Sequence, residues 1–253
     1  MRGWARVTMG NLKERFERFV KTLNGFESID VLLSGNDPKD VKRADYFFLK
    51  RSIIVEQKTI ERDPSNKPQE FVESLVKQGK IMIWGTVSTK VIFDKLPDGE
   101  KLKAQMFDRL TRQIDTYVSD ADKQTRDTRK YFDVPDALGI LVLLNENGAT
   151  LTPDVIRYGV QRPFAKKLVD GSYRYPHNQG VIVLSELHPI KTGNGGQMMP
   201  ILPMFKSEDK RQKQFDAFTQ EFMTLWAQFN RVPLVHSSNF EALYGNYGIK
   251  KPT

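Results

Sequence analysis

The chain has 253 residues, of which 39% are hydrophobic and 28% charged, enough apolar content for one sizeable core and too much for a disordered chain. It has no run of about 18 apolar residues, and its start, MRGWARVTMGNLKERF, lacks the apolar stretch of a secretory signal, so neither a membrane span nor export is expected. Cysteine is absent, which excludes disulfides, thiolate zinc sites and cysteine nucleophiles and fits a cytoplasmic protein. A net charge of +8 and a pI near 9.5 favour a polyanionic partner, nucleic acid first. The basic residues are dispersed (Lys42, Arg43, Lys50, Arg51, Lys166, Lys167, Lys210 among them), so any basic face has to be assembled by folding.

In chain order, Leu12, Phe16, Phe19, Val20 and Leu23 fall at helical spacing and predict an amphipathic helix over 11–23. Three short apolar or alternating runs follow, at 29–33, 44–49 and 52–60, and read as strands. The segment 34–38 (Ser-Gly-Asn-Asp-Pro) marks a loop, and only Lys50-Arg51 separates the last two runs, predicting a tight hairpin on an unfavoured turn dipeptide. Residues 61–104 read as an insertion or small subdomain, with a short helix at 69–77 and a hairpin across 81–93. Met106, Phe107, Leu110, Ile114, Tyr117 and Ala121 form the stripe of one long helix reaching about residue 130. The continuous apolar run 138–144 predicts a strand buried on both faces. A helix over 153–168, opened by Pro153, and a buried strand at 181–184 follow. Residues 189–203 are loop-rich, and 205–253 form a C-terminal extension carrying a helix at 210–229. The whole chain, 1–253, reads as one mixed α/β domain.

The hairpin carries the chemistry. Side chains alternate between the faces of a strand, so Glu56 and Lys58 point the same way. With Lys50-Arg51 as the turn, Leu49 pairs with Ser52, and Asp45 falls opposite Glu56, about 5 Å away at Cβ. Two carboxylates then share one small site with a lysine two residues on. Their mutual repulsion is relieved if a divalent cation sits between them, and hard oxygen ligands suit Mg²⁺ or Mn²⁺. The backbone carbonyl of Gln57 is a further ligand candidate. The same residues would also serve as the polar face of a half-exposed hairpin, with Lys58 neutralising Glu56. Against that, Glu56 follows Ile53-Ile54-Val55, a run typical of a buried strand, where an unpaired charge is costly.

Ala44-Asp45 followed by Ile53-Ile54-Val55-Glu56-Gln57-Lys58 resembles the signature of the PD-(D/E)XK nuclease superfamily, with Ala44 in place of the usual proline. Gln113-Ile-Asp-Thr-Tyr117 on the long helix is similar to the Q-x-x-x-Y motif of RecB-like nucleases, and residues four apart share a helix face. The resemblance covers about residues 11–145. It implies a restriction-endonuclease-like αβββαβ core around a mixed central sheet, Mg²⁺-dependent hydrolysis of DNA, and in many members a homodimer. It further implies Asp45, Glu56 and Gln57 as metal ligands, Lys58 as the residue that positions the attacking water, and Gln113 and Tyr117 as supports. A first-helix glutamate often joins such a site, and Glu17 is better placed for this than Glu14.

The three histidines (His177, His188, His236) are too scattered for a zinc motif, and Gly193-Asn-Gly-Gly196 lacks the Lys-Ser/Thr ending of a phosphate loop. Asp120, Asp122, Asp127 and Asp133 alternate with lysines and arginines, as on an exposed charged helix face. Two rival expectations are a non-catalytic nucleic-acid-binding protein of the same fold, and an assembly protein of phage or mobile-element origin that uses exposed C-terminal aromatics as a contact surface.

Overall fold

The computed structural model describes residues 11–33, 42–85, 87–191, 197–206 and 210–235. Its elements run α1 (Leu12–Val20), β1 (Glu27–Ser28), α2 (Ile29–Leu32), β2 (Tyr46–Phe48), β3 (Ile53–Ile60), α3 (Lys67–Lys77), α4 (Thr89–Asp94), α5 (Gly99–Leu110) and α6 (Arg112–Phe132). They continue with β4 (Leu138–Asn145), α7 (Pro153–Ala165), β5 (Gly180–Ser185), β6 (Ile190–Lys191), β7 (Gln197–Met198), β8 (Ile201–Phe205) and α8 (Gln212–Phe229).

The most apolar runs lie at the centre. β4 and β5 are buried along their whole length and pair in parallel, as β3 and β4 do, while β1, β2 and β8 join antiparallel. The result is a mixed six-stranded open sheet of order β1-β2-β3-β4-β5-β8. Alternation divides its core. Leu141, Leu143, Val181 and Val183 pack with Ile60 against α3, α5, α6 and α7 on one face. Ile140, Val142, Ile182 and Leu184 pack with Ile53 and Val55 against α1 and α8 on the other. A smaller cluster of Ile29, Ala44, Phe47 and Ile54 closes the β2 end. Among the described residues no helix is long and apolar enough to cross a membrane.

Several expectations are corrected. The run 29–33 is a short helix, α2, and the sheet edge is made by Glu27–Ser28 just before it. The hairpin expected across 81–93 is absent, because Ser88 caps a helix, α4, by accepting from Val91 N. The single long helix divides at Thr111, whose Oγ1 donates to the carbonyl of Phe107 (2.8 Å), so α5 ends and α6 begins there. Helix α7 approaches that break through Gly159, where a Cβ would come within 2.8 Å of Thr111 Cβ. The loop-rich segment contributes β8, an edge strand that tolerates Pro203 because its outer side carries no partner strand. Residues 193–196 and His236 lie outside the described residues. The last helix is part of the core and not an appendage: Phe215, Phe218, Phe222 and Trp226 of α8 are buried against α1 and the sheet. The exposed aromatic surface that the assembly reading requires is therefore not found on that helix.

Candidate active site

The β2–β3 ladder pairs Tyr46 with Val55, Phe47 with Ile54 and Phe48 with Ile53, the register expected from a two-residue turn at Lys50-Arg51. The turn obtains this register with Leu49, Lys50 and Arg51 all at positive φ (49°, 54° and 64°), none of them glycine. Left-handed backbone costs such residues about 1 kcal/mol or more each, so it must be held from outside. Arg51 supplies part of the hold: its Nη2 donates to Glu27 Oε2 (2.7 Å), and its guanidinium stacks 5.5 Å from the rings of Phe47 and Phe132. Gly25, itself at φ 70°, lets the preceding loop pass close beneath Leu49.

The ladder stops at Tyr46 and Val55 and does not extend to Asp45 and Glu56. Here β2 ends, because Asp45 N donates to Val55 O (3.1 Å), one residue out of step with the ladder, and its carbonyl accepts from Ile29 N (3.0 Å). The Asp45 side chain takes over where the strand stops, with Oδ2 accepting from Gln57 N (2.6 Å). Leu138 N donates to Ser52 O, so even positions of β3 turn their backbone to β4 and odd positions turn theirs to β2. The carbonyl of Gln57 therefore faces the same edge as Asp45, past the end of β2.

On the α6 face of the sheet, Glu56 is only 1% exposed. Lys58 Nζ lies 2.5 Å from its Oε1, while its Oε2 is buried with no hydrogen-bond partner. Burial, then the neighbouring Asp45 charge, pushes the Glu56 carboxyl up to about 8, with Lys58 opposing. Burial likewise raises Asp45, against the pull of the Gln57 N–H and Lys58. Burial works to lower Lys58, but the Glu56 and Asp45 carboxylates outweigh it and leave the ammonium more firmly protonated. Near neutral pH the pair thus holds either a proton on Glu56 or a cation.

Helix α6 packs on this face of β3. Gln113 Nε2 donates to Tyr117 Oη (2.5 Å), and that hydroxyl donates to the carbonyl of Thr59 (2.9 Å), next along β3 from Lys58. Farther along α6, Gln124 Nε2 donates to Arg43 O (2.6 Å), and Thr128 Oγ1 accepts from Ala44 N (2.9 Å). These two hold the segment leading into Asp45, and sequence reasoning missed them. The signal was present, since Gln124 and Thr128 follow Gln113 and Tyr117 by eleven residues, three helical turns on one face.

The structure brings Asp45, Glu56, Gln57 and Lys58 together and docks Gln113 and Tyr117 beside them. Tyr46 and Val55 side chains face α1, and Glu17 lies there, close enough to Tyr46 to contribute to the raised pKa of its hydroxyl, behind the larger effects of burial and Asp45. Among the described residues no group of three or more His, Cys, Asp or Glu is placed to hold a metal. The donor set is thus two carboxylates and one main-chain carbonyl. That set fits a cation such as Mg²⁺, which keeps several waters, and the unpartnered Glu56 Oε2 fits it as well. Of the histidines, His177 and His188 are partly buried, and burial lowers both. Asp122, expected on an exposed face, is buried instead, and its Oδ1 accepts from His177 N (2.6 Å) and Asn178 N (3.0 Å).

Comparisons of this chain with protein-family models, curated proteins and solved structures give no match, so its geometry and sequence motifs are what bear on its chemistry.

Proposed function

We propose that this chain is a Mg²⁺- or Mn²⁺-dependent nuclease that hydrolyses phosphodiester bonds of DNA. The observation that carries this reading is the partly buried Asp45 beside the buried Glu56 at the end of β2, with Lys58 Nζ at 2.5 Å from Glu56. The order α1, antiparallel β1–β2–β3, α6 and parallel β4 is consistent with the restriction-endonuclease-like core that the sequence resemblance implies.

Asp45, Glu56 and the Gln57 carbonyl would hold the cation, which when bound lowers the pKa of water and neutralises charge growing on the phosphate. Each protein group has a separate task. Asp45 is aimed by the Gln57 N–H, which Oδ2 accepts. Glu56 would release its proton to solvent on ligating a cation. Lys58, kept protonated by both carboxylates, donates to the attacking water or a phosphate oxygen. Gln113 and Tyr117 fix β3 against α6, so that the distance between Lys58 and the carboxylates does not drift.

The test is incubation with linear and circular, single- and double-stranded DNA, with Mg²⁺ or with EDTA. Wild-type protein should cut at least one of these substrates with Mg²⁺ only, and Lys58→Ala should not. Cleavage that survives Lys58→Ala, or that proceeds in EDTA, refutes the assignment.

A further inference from the structure

Between α3 and α4 the chain runs extended through Ile81-Met82-Ile83-Trp84, without a helix or a ladder partner. Its side chains alternate as on a strand. Ile81 and Ile83 turn inward onto the cluster that contains Ile60, Phe71, Leu75 and Phe93, whereas Met82 is 80% and Trp84 85% exposed. Trp84 is the most exposed of the large aromatic rings described, and a free indole face is costly in water. Gly79 (φ 67°) and Gly85 (φ 78°) bound the stretch at positions where side-chain-bearing residues would be strained, so its presentation is built into the chain.

Two further observations say what covers it. From Ser74 to Phe93 the sequence carries Lys77, Lys80 and Lys90 and no carboxylate, in a chain that is 28% charged, so the surroundings suit an anion. Ile60, in the cluster that anchors Ile81 and Ile83, lies two residues beyond Lys58 and on the same face of β3. The exposed pair thus stands on the side of the sheet that carries the carboxylates, off the end of the strand that bears them.

We infer that Trp84, with Met82 beside it, is a stacking platform for an unpaired base of single-stranded nucleic acid, with Lys77 and Lys80 drawing in the backbone. A ring face offered to solvent in a stretch whose charged residues are all lysines matches the chemistry of a polyanion with exposed π-faces, whereas a duplex keeps its bases stacked internally. This rests on the nuclease reading and narrows it: the substrate has unpaired nucleotides beside the scissile bond, as a single strand, an overhang or a frayed end does.

The test uses a 5′-fluorescein oligothymidylate of about 12 nucleotides, its duplex with the complementary strand, and EDTA to prevent cleavage. Fluorescence anisotropy should show Trp84→Ala weakening single-strand binding about 5- to 100-fold, with Trp84→Phe keeping most of it and duplex binding unchanged. Because Trp84 is exposed, the substitution should leave the circular dichroism spectrum intact. Equal single-strand affinity of wild type and Trp84→Ala overturns the platform and leaves the nuclease reading standing. A wild type that binds neither oligonucleotide and cuts no DNA overturns both. Unchanged oligonucleotide binding with self-association lost in Trp84→Ala, seen by light scattering, assigns the patch to a second copy of the chain and also overturns the platform.

Discussion

Among the described residues that bury charge, two places treat it in opposite ways. Where β4 and β5 begin, Arg129, Asp122 and Lys206 form a closed network. Arg129 Nε donates to Ala137 O (2.9 Å) and its Nη2 to Gln179 Oε1 (3.0 Å); Asp122 accepts two backbone N–H groups; Lys206 Nζ donates to the carbonyls of Tyr175 and Asn178. At the Asp45–Glu56 pair, by contrast, two like charges lie side by side, and one buried oxygen has no partner. A buried ion costs several kcal/mol unless compensated, so the first arrangement is what stability requires, and the second gives up stability to leave a position open. That difference is what favours the pair, and not the larger network, as the site of the proposed chemistry.

The comparison can be broken by substitution on either side. The largest effect is expected at the open pair: Glu56→Gln and Lys58→Ala should each reduce Mg²⁺-dependent cleavage about 10³-fold or more, with the fold retained by circular dichroism. At the closed network the reverse should hold. Arg129→Met leaves Ala137 O without its donor and takes from Gln179 Oε1 one of its two, the other being Gly139 N, and should cost about 3 kcal/mol in urea unfolding, while cleavage per folded molecule changes little.

A pH series sharpens the contrast. Glu56 is raised from an ordinary 4.5 to about 8, so between those values the folded state holds a proton that the unfolded chain has released. Its contribution to stability is complete below 4.5 and is lost as pH rises through about 8. In EDTA, stability should therefore fall by on the order of 2 kcal/mol between about pH 6.5 and 8. Glu56→Gln should flatten that slope, and Mg²⁺ should restore the wild type at pH 8. If the wild type and Glu56→Gln share one slope, Glu56 does not titrate there. The smallest effect is expected for Tyr117→Phe, which loses bonds to Gln113 and Thr59 and should cost about 1 kcal/mol by thermal unfolding.

The hairpin register was legible in the sequence because strand alternation has a strict period, and a slip of one residue would have turned Phe47 and Ile54 out of the core. The turn that sets it was not, since Leu49, Lys50 and Arg51 adopt left-handed backbone only under the tertiary hold of Arg51 on Glu27 and two rings. The central strands β3, β4 and β5 could be read from composition, whereas β8 was hidden by Pro203, which only an edge position accommodates. Asp122 looked like its exposed neighbours because the loop that buries it, around His177, arrives from fifty-five residues away.

The most direct measurement is a calorimetric titration of the wild type with MnCl₂ near pH 7, in two buffers of different ionisation heat, with Glu56→Gln as the control. A site built on Asp45, Glu56 and the Gln57 carbonyl should bind Mn²⁺ and release part of a proton from Glu56 as it fills, and Glu56→Gln should show neither. A wild type that takes up no Mn²⁺, or a Glu56→Gln variant that binds it equally well, would contradict the account.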